Sequence, residues 1–340
     1  MYINGETCRE PGMREERYSD YGGKVKSPQI SIIIPTHNRP KDMAKCLTAL
    51  RYQSVELTVY EVIVIDDHSD YACVSQYKQF VCQNQEMNIQ FISLPDQRVG
   101  AANARNFGVQ HARGEIIGFL DDDSIPESNW IFIILSYFAK YPQVVAVTGT
   151  VNAVDYTHPL SMFRQNFYNT RYKKNLHSKT TSAIQDRFKL TKIPEGVYLS
   201  DSLSGGNSAI RLSALQSYGV FNVDLQMMHD KELALRLLSQ GCICTFLPSL
   251  VVRHNHTKSV LDAMSKSFRS GRSHYFLRSK YSNLLSGRVL GIHKPFISLV
   301  YAAPLFKVMG WKFFLLIPLI FGLEYLHQMG YFLEIMKSER

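Results

Sequence analysis

The sequence predicts an α/β protein: a mostly parallel sheet flanked by helices, extended at its C-terminus by a basic and then apolar helical segment. Three observations predict it. Short apolar runs of strand length alternate with helical patterns through residues 29–151, joined by short polar connections. Three of those runs end in polar clusters, at 36–39, 66–69 and 121–123. In parallel sheets ligands sit outside the carboxyl ends of the strands, so the three clusters share one edge.

Residues 1–28 are polar and charged, without the apolar stretch of a secretory signal, and are expected to form a loosely ordered tail. The run ISIII at 30–34 reads as a buried strand, ending in the turn-rich PTHNRP. A helix is predicted over 41–51, with Met43, Leu47 and Leu50 on one face. EVIVI at 61–65 is the next strand and runs into Asp66, Asp67, His68 and Ser69. A helix over 71–82 and a strand over 88–94 follow. Residues 98–112 are helical, and Ala101, Ala104, Gly108 and Ala112 recur at helical spacing, so this helix can lie close to the sheet. A strand over 116–120, a helix over 130–141 and a strand over 143–151 complete the alternation.

The strand at 116–120 runs straight into Asp121, Asp122 and Asp123. Pro126 should end its ladder. Three adjacent carboxylates repel one another, and burying them without a counter-charge is costly. A hard divalent cation such as Mg²⁺ relieves this, and it fills its remaining positions with water and phosphate oxygens. In extended backbone Asp121 and Asp123 point one way and Asp122 the other.

Residues 156–198 interrupt the alternation with eight Lys or Arg against two acids, a long insertion of the kind that forms a functional loop or a solvated helical unit. SGGNSAI at 204–210 follows, and its paired glycines suggest a close backbone approach or a bulge. A helix over 228–241 places Asp230 at its start, on the inward face beneath Leu233, Ala234, Leu237 and Leu238. Asp230 is either an N-cap or a carboxylate at the floor of a cleft. Two strands, 242–247 and 250–253, lead to His254 and His256.

In this order, SIIIPTHNRP, VIVIDDHSD, GAANARNFGVQHARGEIIGFLDDDSIP, SGGNSAIR and HDKELALRLLSQG resemble the family 2 glycosyltransferases, over residues 29–256. The resemblance implies the GT-A fold, a nucleotide-diphospho-sugar donor and Mg²⁺ or Mn²⁺. It implies that Pro35, Thr36, Asn38 and Arg39 line the nucleotide pocket and that Asp66 binds the base. Arg105 would lie near the diphosphate or base, with Asp121 and Asp122 approaching ribose and sugar. Asp123, with Asp121, would bind the metal, joined by His254, for which His256 is the competing candidate. Asp230 would be the catalytic base. Gly205, Gly206, Asn207 and Arg236 would face the acceptor across an insertion at 156–198. Two departures stand out. His229 occupies the position of the family's first acid before Asp230, and no Q-x-x-R-W follows, which points to single sugar additions rather than polymerisation.

The implied reaction is inverting sugar transfer to an acceptor hydroxyl, in cell-surface polysaccharide or glycolipid assembly. A nucleotidyltransferase on the same sheet is the first alternative, but it would open on a glycine-rich phosphate loop, and PTHNRP has no glycine. The second is a nucleic-acid binder, suggested by a net charge of +9. That charge is concentrated in the insertion and after residue 257, away from the acidic edge, so no nucleic-acid partner is expected. The partners are a sugar donor, a saccharide or lipid-linked acceptor and a membrane surface. Residues 257–294 form a basic collar and 295–340 apolar helices, a pattern that fits attachment at the cytoplasmic face of a membrane. The strictly apolar core, 313–323, is 11 residues, short of the roughly 20 of a spanning helix. None of the six cysteines forms a C-x-x-C pair, so free thiols are expected, with neither a zinc nor a redox site.

Overall fold

Four strands rich in Ile and Val form the parallel half of one twisted sheet: β1 (Ile30–Thr36), β2 (Tyr60–Asp66), β3 (Ile89–Ser93) and β4 (Ile116–Leu120). The structure is a computed structural model that describes residues 27–95, 99–255, 259–284, 305–306 and 310–338. Between these strands run α1 (Pro40–Arg51), α2 (Tyr71–Gln83) and α3 (Ala101–His111). β1, β2 and β4 are buried along their whole length, as continuous apolar runs require. The small residues of α3 do what their spacing predicts: a Cβ on Gly108 would come within 2.6 Å of Ile33, so only glycine lets the helix lie this close.

β5 (Ser124–Pro126), α4 (Trp130–Lys140), β6 (Val144–Ala153), α5 (Pro159–Asn175), α6 (Ser178–Phe188), β7 (Tyr198–Leu199), β8 (Asn207–Arg211), α7 (Leu212–Tyr218), α8 (His229–Ser239) and β9 (Ile243–His254) complete the sheet unit. The nine strands lie in the order β3-β2-β1-β4-β8-β6-β9-β5, with β7 also on β9. β8 runs antiparallel to both β4 and β6 and joins the first parallel group to the β6–β9 pair. Trp130 is the largest fully buried side chain, and its indole donates to Asn207 Oδ1 at 2.8 Å.

Two expectations change. Pro126 does not stop pairing: it lies in β5, which pairs only with β9 at the end of the sheet, where a missing N–H costs no ladder bond. The two strands expected at 242–253 are one strand, β9, whose irregularity sits where its register against β6 shifts between Gly149 and Thr150. For the insertion, the helical alternative holds: it is a folded pair, α5 and α6, with α5 docked on β6. Gln165 Oε1 accepts from the Ala153 N–H at 2.5 Å and Tyr172 Oη from the Val151 N–H at 2.8 Å.

Beyond the sheet, α9 (Val260–Lys280) and α10 (Ile317–Ser338) pack along each other. Ser267 Oγ donates to the Leu323 carbonyl at 2.6 Å, and Arg272 pairs with Glu334 at 2.5 Å. α9 is tied to the sheet domain through Glu232, which is fully buried on α8 and accepts from Lys280 Nζ and Tyr281 Oη, each at 2.8 Å. No helix among the described residues is long and apolar enough to cross a membrane. The tail at 1–26, residues 285–304 between collar and apolar helices, and His256 lie outside the described residues. Cys46, Cys73, Cys242 and Cys244 are free thiols, whereas Cys82 is disulfide-bonded, against expectation.

Candidate active site

Strand register assembles the site. Thr36 ends β1 directly opposite Asp66 at the end of β2. β4 lies beside β1, and its last residue, Leu120, pairs with Asn207 at the start of β8. That pairing carries Gly205 and Gly206 alongside Asp121. On the other flank Ser124 pairs with His254, and the Asn255 N–H donates to the Asp123 carbonyl at 3.2 Å. The three polar clusters thus reach one edge, as the alternation predicts, and the end of β9 joins them.

Asp121, Asp123 and His254 each offer one ligand atom, and these atoms lie within 4.8 Å of one another. His254 Nε2 is 3.0 Å from Asp123 Oδ1 and 3.5 Å from Asp121 Oδ2. Asp123 Oδ1 is buried against the His254 ring. Burial pulls the His254 imidazole down, but hydrogen bonds and charge from Asp121 and Asp123 outweigh it and push the imidazole up to about 10. Burial pushes Asp121 up, yet the Arg105 guanidinium and His254 hold it well below the usual carboxylate range. Two carboxylate oxygens and an imidazole nitrogen suit a divalent cation of the Mg²⁺ or Mn²⁺ type. A protonated imidazole is the counter-ion such a cation would replace.

Asp122 points away from this cluster, but not through strand alternation: β4 ends at Leu120, and Asp121 to Ser124 form a turn in which the Ser124 N–H donates to the Asp121 carbonyl at 3.0 Å, where extended backbone was expected. Asp122 accepts from Thr36 Oγ1 at 2.9 Å and pairs with Arg39 at 3.3 Å. Burial, together with Asp123 and Asp121, raises it to about 6 despite Arg39. Arg39 also reaches Asp123 at 3.0 Å with half its side chain exposed, so it lines the open edge. Asn38 takes a left-handed backbone (φ 54°), and its side-chain oxygen accepts from the Asp70 N–H at 2.8 Å. Asp66 is buried and caps the turn at Ser69 with a 3.2 Å bond. Pro35 is buried within β1 opposite Ile65, so it supports the pocket loop from inside the sheet.

Arg105 is buried and braces the site rather than opening to a ligand. Its guanidinium reaches Asp121 at 2.5 Å and His229 Nε2 at 2.9 Å, over the face of Phe221. Burial and Arg105 lower His229 to about 4, so it is a neutral acceptor where the family carries an acid. Next to it Asp230 accepts from the Gly205 N–H at 3.2 Å and the Lys231 N–H at 2.8 Å, and it lines an open cavity of about 80 Å³. Gly205 and Gly206 make room: a Cβ would meet Arg105 at 2.9 Å in the first case and Asp121 Oδ2 at 2.4 Å in the second.

Two expected acceptor residues are structural. Asn207 is fully buried, and both its amide atoms are used, by Trp130 and by the Thr150 and Leu250 carbonyls at 2.8 and 2.9 Å. Arg236 lies six residues after Asp230, on another face of α8, where it binds the Tyr218 and Val220 carbonyls and Glu232. Sequence reading missed Tyr77, whose buried hydroxyl accepts from the Arg39 N–H at 2.8 Å and donates to Thr36 Oγ1 at 3.1 Å. It also missed the wall that Tyr168, Tyr172 and Asn175 of α5 contribute to the cavity. Their i, i+4, i+7 spacing was the available signal.

Residues 31–192 match the family described as Glycosyl transferase family 2. The chain is 27% identical over 245 residues to the glycosyltransferase AglE of Haloferax volcanii, covering 72% of each. It is 25% identical over 243 residues to the pre-mycofactocin glycosyltransferase of Mycobacterium tuberculosis, where it spans 46% of that protein's length. A mannosyltransferase from Pyrobaculum calidifontis, solved with GDP-Man and Mn²⁺, superposes with a TM-score of 0.62 at 16% identity, over 90% of this chain and 87% of that one. GalNAc-T7, solved with UDP, GalNAc and Mn²⁺, superposes with a TM-score of 0.53 at 14% identity, over 77% and 52%. These likenesses show the fold, GT-A.

Proposed function

The chain belongs to the family 2 glycosyltransferases, and from that premise we propose that it moves one sugar, with inversion, from a nucleotide-diphospho-sugar to an acceptor hydroxyl in a cation-dependent reaction. The product enters a cell-surface polysaccharide or glycolipid. One observation carries the reading: the Asp121–Asp123–His254 cluster and the cavity-lining Asp230 stand at the same sheet edge. The nucleotide-sugar and Mn²⁺ in the neighbours' structures support the donor class.

Asp121, Asp123 and His254 would hold Mg²⁺ or Mn²⁺, which when bound supplies positive charge for a leaving diphosphate. The protein does the rest. Arg39, half exposed beside the carboxylates, faces the phosphates. Thr36 and Tyr77 hold the Arg39 loop in place. Arg105 keeps Asp121 aimed into the cluster. The acceptor oxygen forms a bond to the anomeric carbon from the face opposite the leaving group. As that bond forms, the anomeric C–O bond breaks, the diphosphate takes its electron pair, and the hydroxyl proton passes to Asp230. Two backbone N–H groups fix the orientation of the Asp230 carboxylate.

A thermal-shift panel tests this reading. At least one UDP-, GDP- or dTDP-sugar should raise the melting temperature with Mn²⁺ and not with EDTA. Stabilisation indifferent to the cation, or release of pyrophosphate from nucleoside triphosphates, would contradict it.

We also propose that α10 rests on a membrane surface. Phe321, Tyr325, Met329, Phe332 and Met336 recur at helical spacing and are exposed on one face, while the same helix packs on α9. α9 carries five Lys or Arg against one acid, which suits an anionic lipid surface. The full chain should sediment with phosphatidylglycerol vesicles and should be released by Tyr325→Asp with Phe332→Asp. A wild-type chain left in the supernatant would refute the attachment.

A further inference from the structure

The helix that carries Asp230 does not define its own start. α8 begins after Met228, which has no side-chain acceptor for the first-turn N–H groups, where Ser, Thr, Asp or Asn would cap them. Met228 also takes a left-handed backbone, φ 60° and ψ 18°. A residue other than glycine keeps that conformation only where its surroundings impose it. Asp230 lies two residues further on, so its direction depends on whatever holds this start in place.

Two sets of contacts hold it. The first comes from the sheet unit: Arg105 bonds His229 at 2.9 Å, and the Gly205 N–H bonds Asp230 at 3.2 Å. The second comes from α9, outside that unit. Ser273 Oγ is buried and accepts from the Met227 N–H at 3.1 Å, one residue before the left-handed turn. Tyr281 Oη and Lys280 Nζ donate to Glu232, two residues past Asp230. Ser273, Leu277, Lys280 and Tyr281 recur at i, i+4, i+7 and i+8, so one face of α9 grips the chain on both sides of Asp230. α9 is itself firmly seated. Leu277 belongs to the main core. A Cβ on Gly271 would run into the His327 carbonyl of α10, and one on Gly330 of α10 into the Phe268 carbonyl.

Stability alone does not call for this arrangement. Glu232 already has a counter-charge on its own helix, Arg236 at 3.1 Å. A Ser or Asp at position 228 would cap α8 without help from a distant helix. Instead, two hydroxyls of α9 fix the backbone before Asp230 and the turn after it. We propose that Ser273 and Tyr281 are positioning residues for the reaction: they hold the start of α8 so that the Asp230 carboxylate stands in line with the acceptor hydroxyl. Neither residue lines the cavity, so each acts through α8. This role rests on the reading of Asp230 as the base of sugar transfer.

Kinetics on the full chain test it. The readout is nucleoside diphosphate release in Mn²⁺ from the nucleotide-sugar that the thermal-shift panel selects, with water as the acceptor. Ser273→Ala and Tyr281→Phe each remove one oxygen and little else. Ser273→Ala should lower kcat about tenfold, short of the roughly 100-fold that a 1 Å misplacement can cost. Tyr281→Phe leaves Lys280 on Glu232 and should lower kcat about threefold, in line with the smaller displacement. KM for the donor and Mn²⁺-dependent nucleoside diphosphate binding should stay at wild-type values in both, which also shows that the variants are folded. Because both residues act through Asp230, neither substitution should slow Asp230→Asn any further. A residue that only stabilises the fold would cost the same factor in both backgrounds. That result, or an unchanged kcat in both single variants, would overturn the role. Failure of the sugar-transfer reading looks different: the wild type would release no nucleoside diphosphate, or Asp230→Asn would release it as fast as the wild type, and the positioning role would fall with it.

Discussion

Asp230→Asn lowers kcat for sugar transfer about 10³-fold while donor affinity stays near wild type, the effect of losing a positioned general base. The substitution is close to isosteric. Its amide oxygen can still accept one of the two backbone bonds that orient the wild-type carboxylate, from Gly205 at 3.2 Å or Lys231 at 2.8 Å. The helix start and the cavity wall therefore remain. What disappears is the capacity to take a proton from the acceptor hydroxyl. Steady-state kinetics at saturating donor, with calorimetric donor binding alongside, separate the two consequences. Equal losses in binding and turnover would mean that Asp230 holds the donor instead. Unchanged turnover would move the base elsewhere in the cavity.

Asp123→Ala has the second large effect, and on the opposite step. It removes a ligand whose Oδ1 is buried and faces His254 Nε2 at 3.0 Å. Losing a group that merely supports a metal ligand costs about 10–100-fold in affinity, so losing the ligand itself should cost at least about 100-fold. Nucleoside diphosphate binding in Mn²⁺ should then fall to the level seen with EDTA. The fold should survive, because the substitution deletes one of three mutually repelling acids and leaves Asp122 paired with Arg39. The wild-type site should show a pH signature. Without a cation, His254 keeps its proton up to about 10. A cation must displace that proton, so binding tightens as pH rises from 6 to 8 and releases protons. Calorimetry in buffers of different ionisation enthalpy reads both. Binding that is flat with pH and releases no proton would exclude His254 from the metal site.

Much of this site is visible in the sequence, for a physical reason. Continuous apolar runs ending in polar clusters are what a buried parallel sheet demands, and topology then forces those clusters to one edge. Thr36, Asp66 and Asp121 to Asp123 lie where that reasoning puts them. The opposed directions of Asp121 and Asp122 come from the hydrogen-bonded turn at 121–124 and not from the two-residue period of extended backbone that the sequence reading used. What stayed hidden depends on long-range register. β5 is three residues with a proline and no pattern of its own. The resemblance named His254 as a companion of Asp123, but how it gets there is seen only in the pairing of β5 with β9. Asn207 carries a polar side chain next to two glycines and invites a ligand role, but the Trp130 indole and two carbonyls consume it. Arg236 shares a helix with Asp230 and nothing more, because six residues turn it to another face. The α5 wall was obscured by its charge: Lys173 and Lys174 dominate the composition, while Tyr168, Tyr172 and Asn175 share a different face of the same helix.

The central claim is that one cation, held by residues from β4, β5's flank and β9, sits at the sheet edge facing Asp230. Diffraction from crystals grown with Mn²⁺ and a nucleoside diphosphate, recorded at the manganese absorption edge, addresses it directly. The account predicts one anomalous peak at bonding distance from Asp123 Oδ1 and His254 Nε2, with Asp121 beside it and diphosphate oxygens completing the shell. A nucleotide bound with no such peak, or a peak coordinated by other residues, would contradict it.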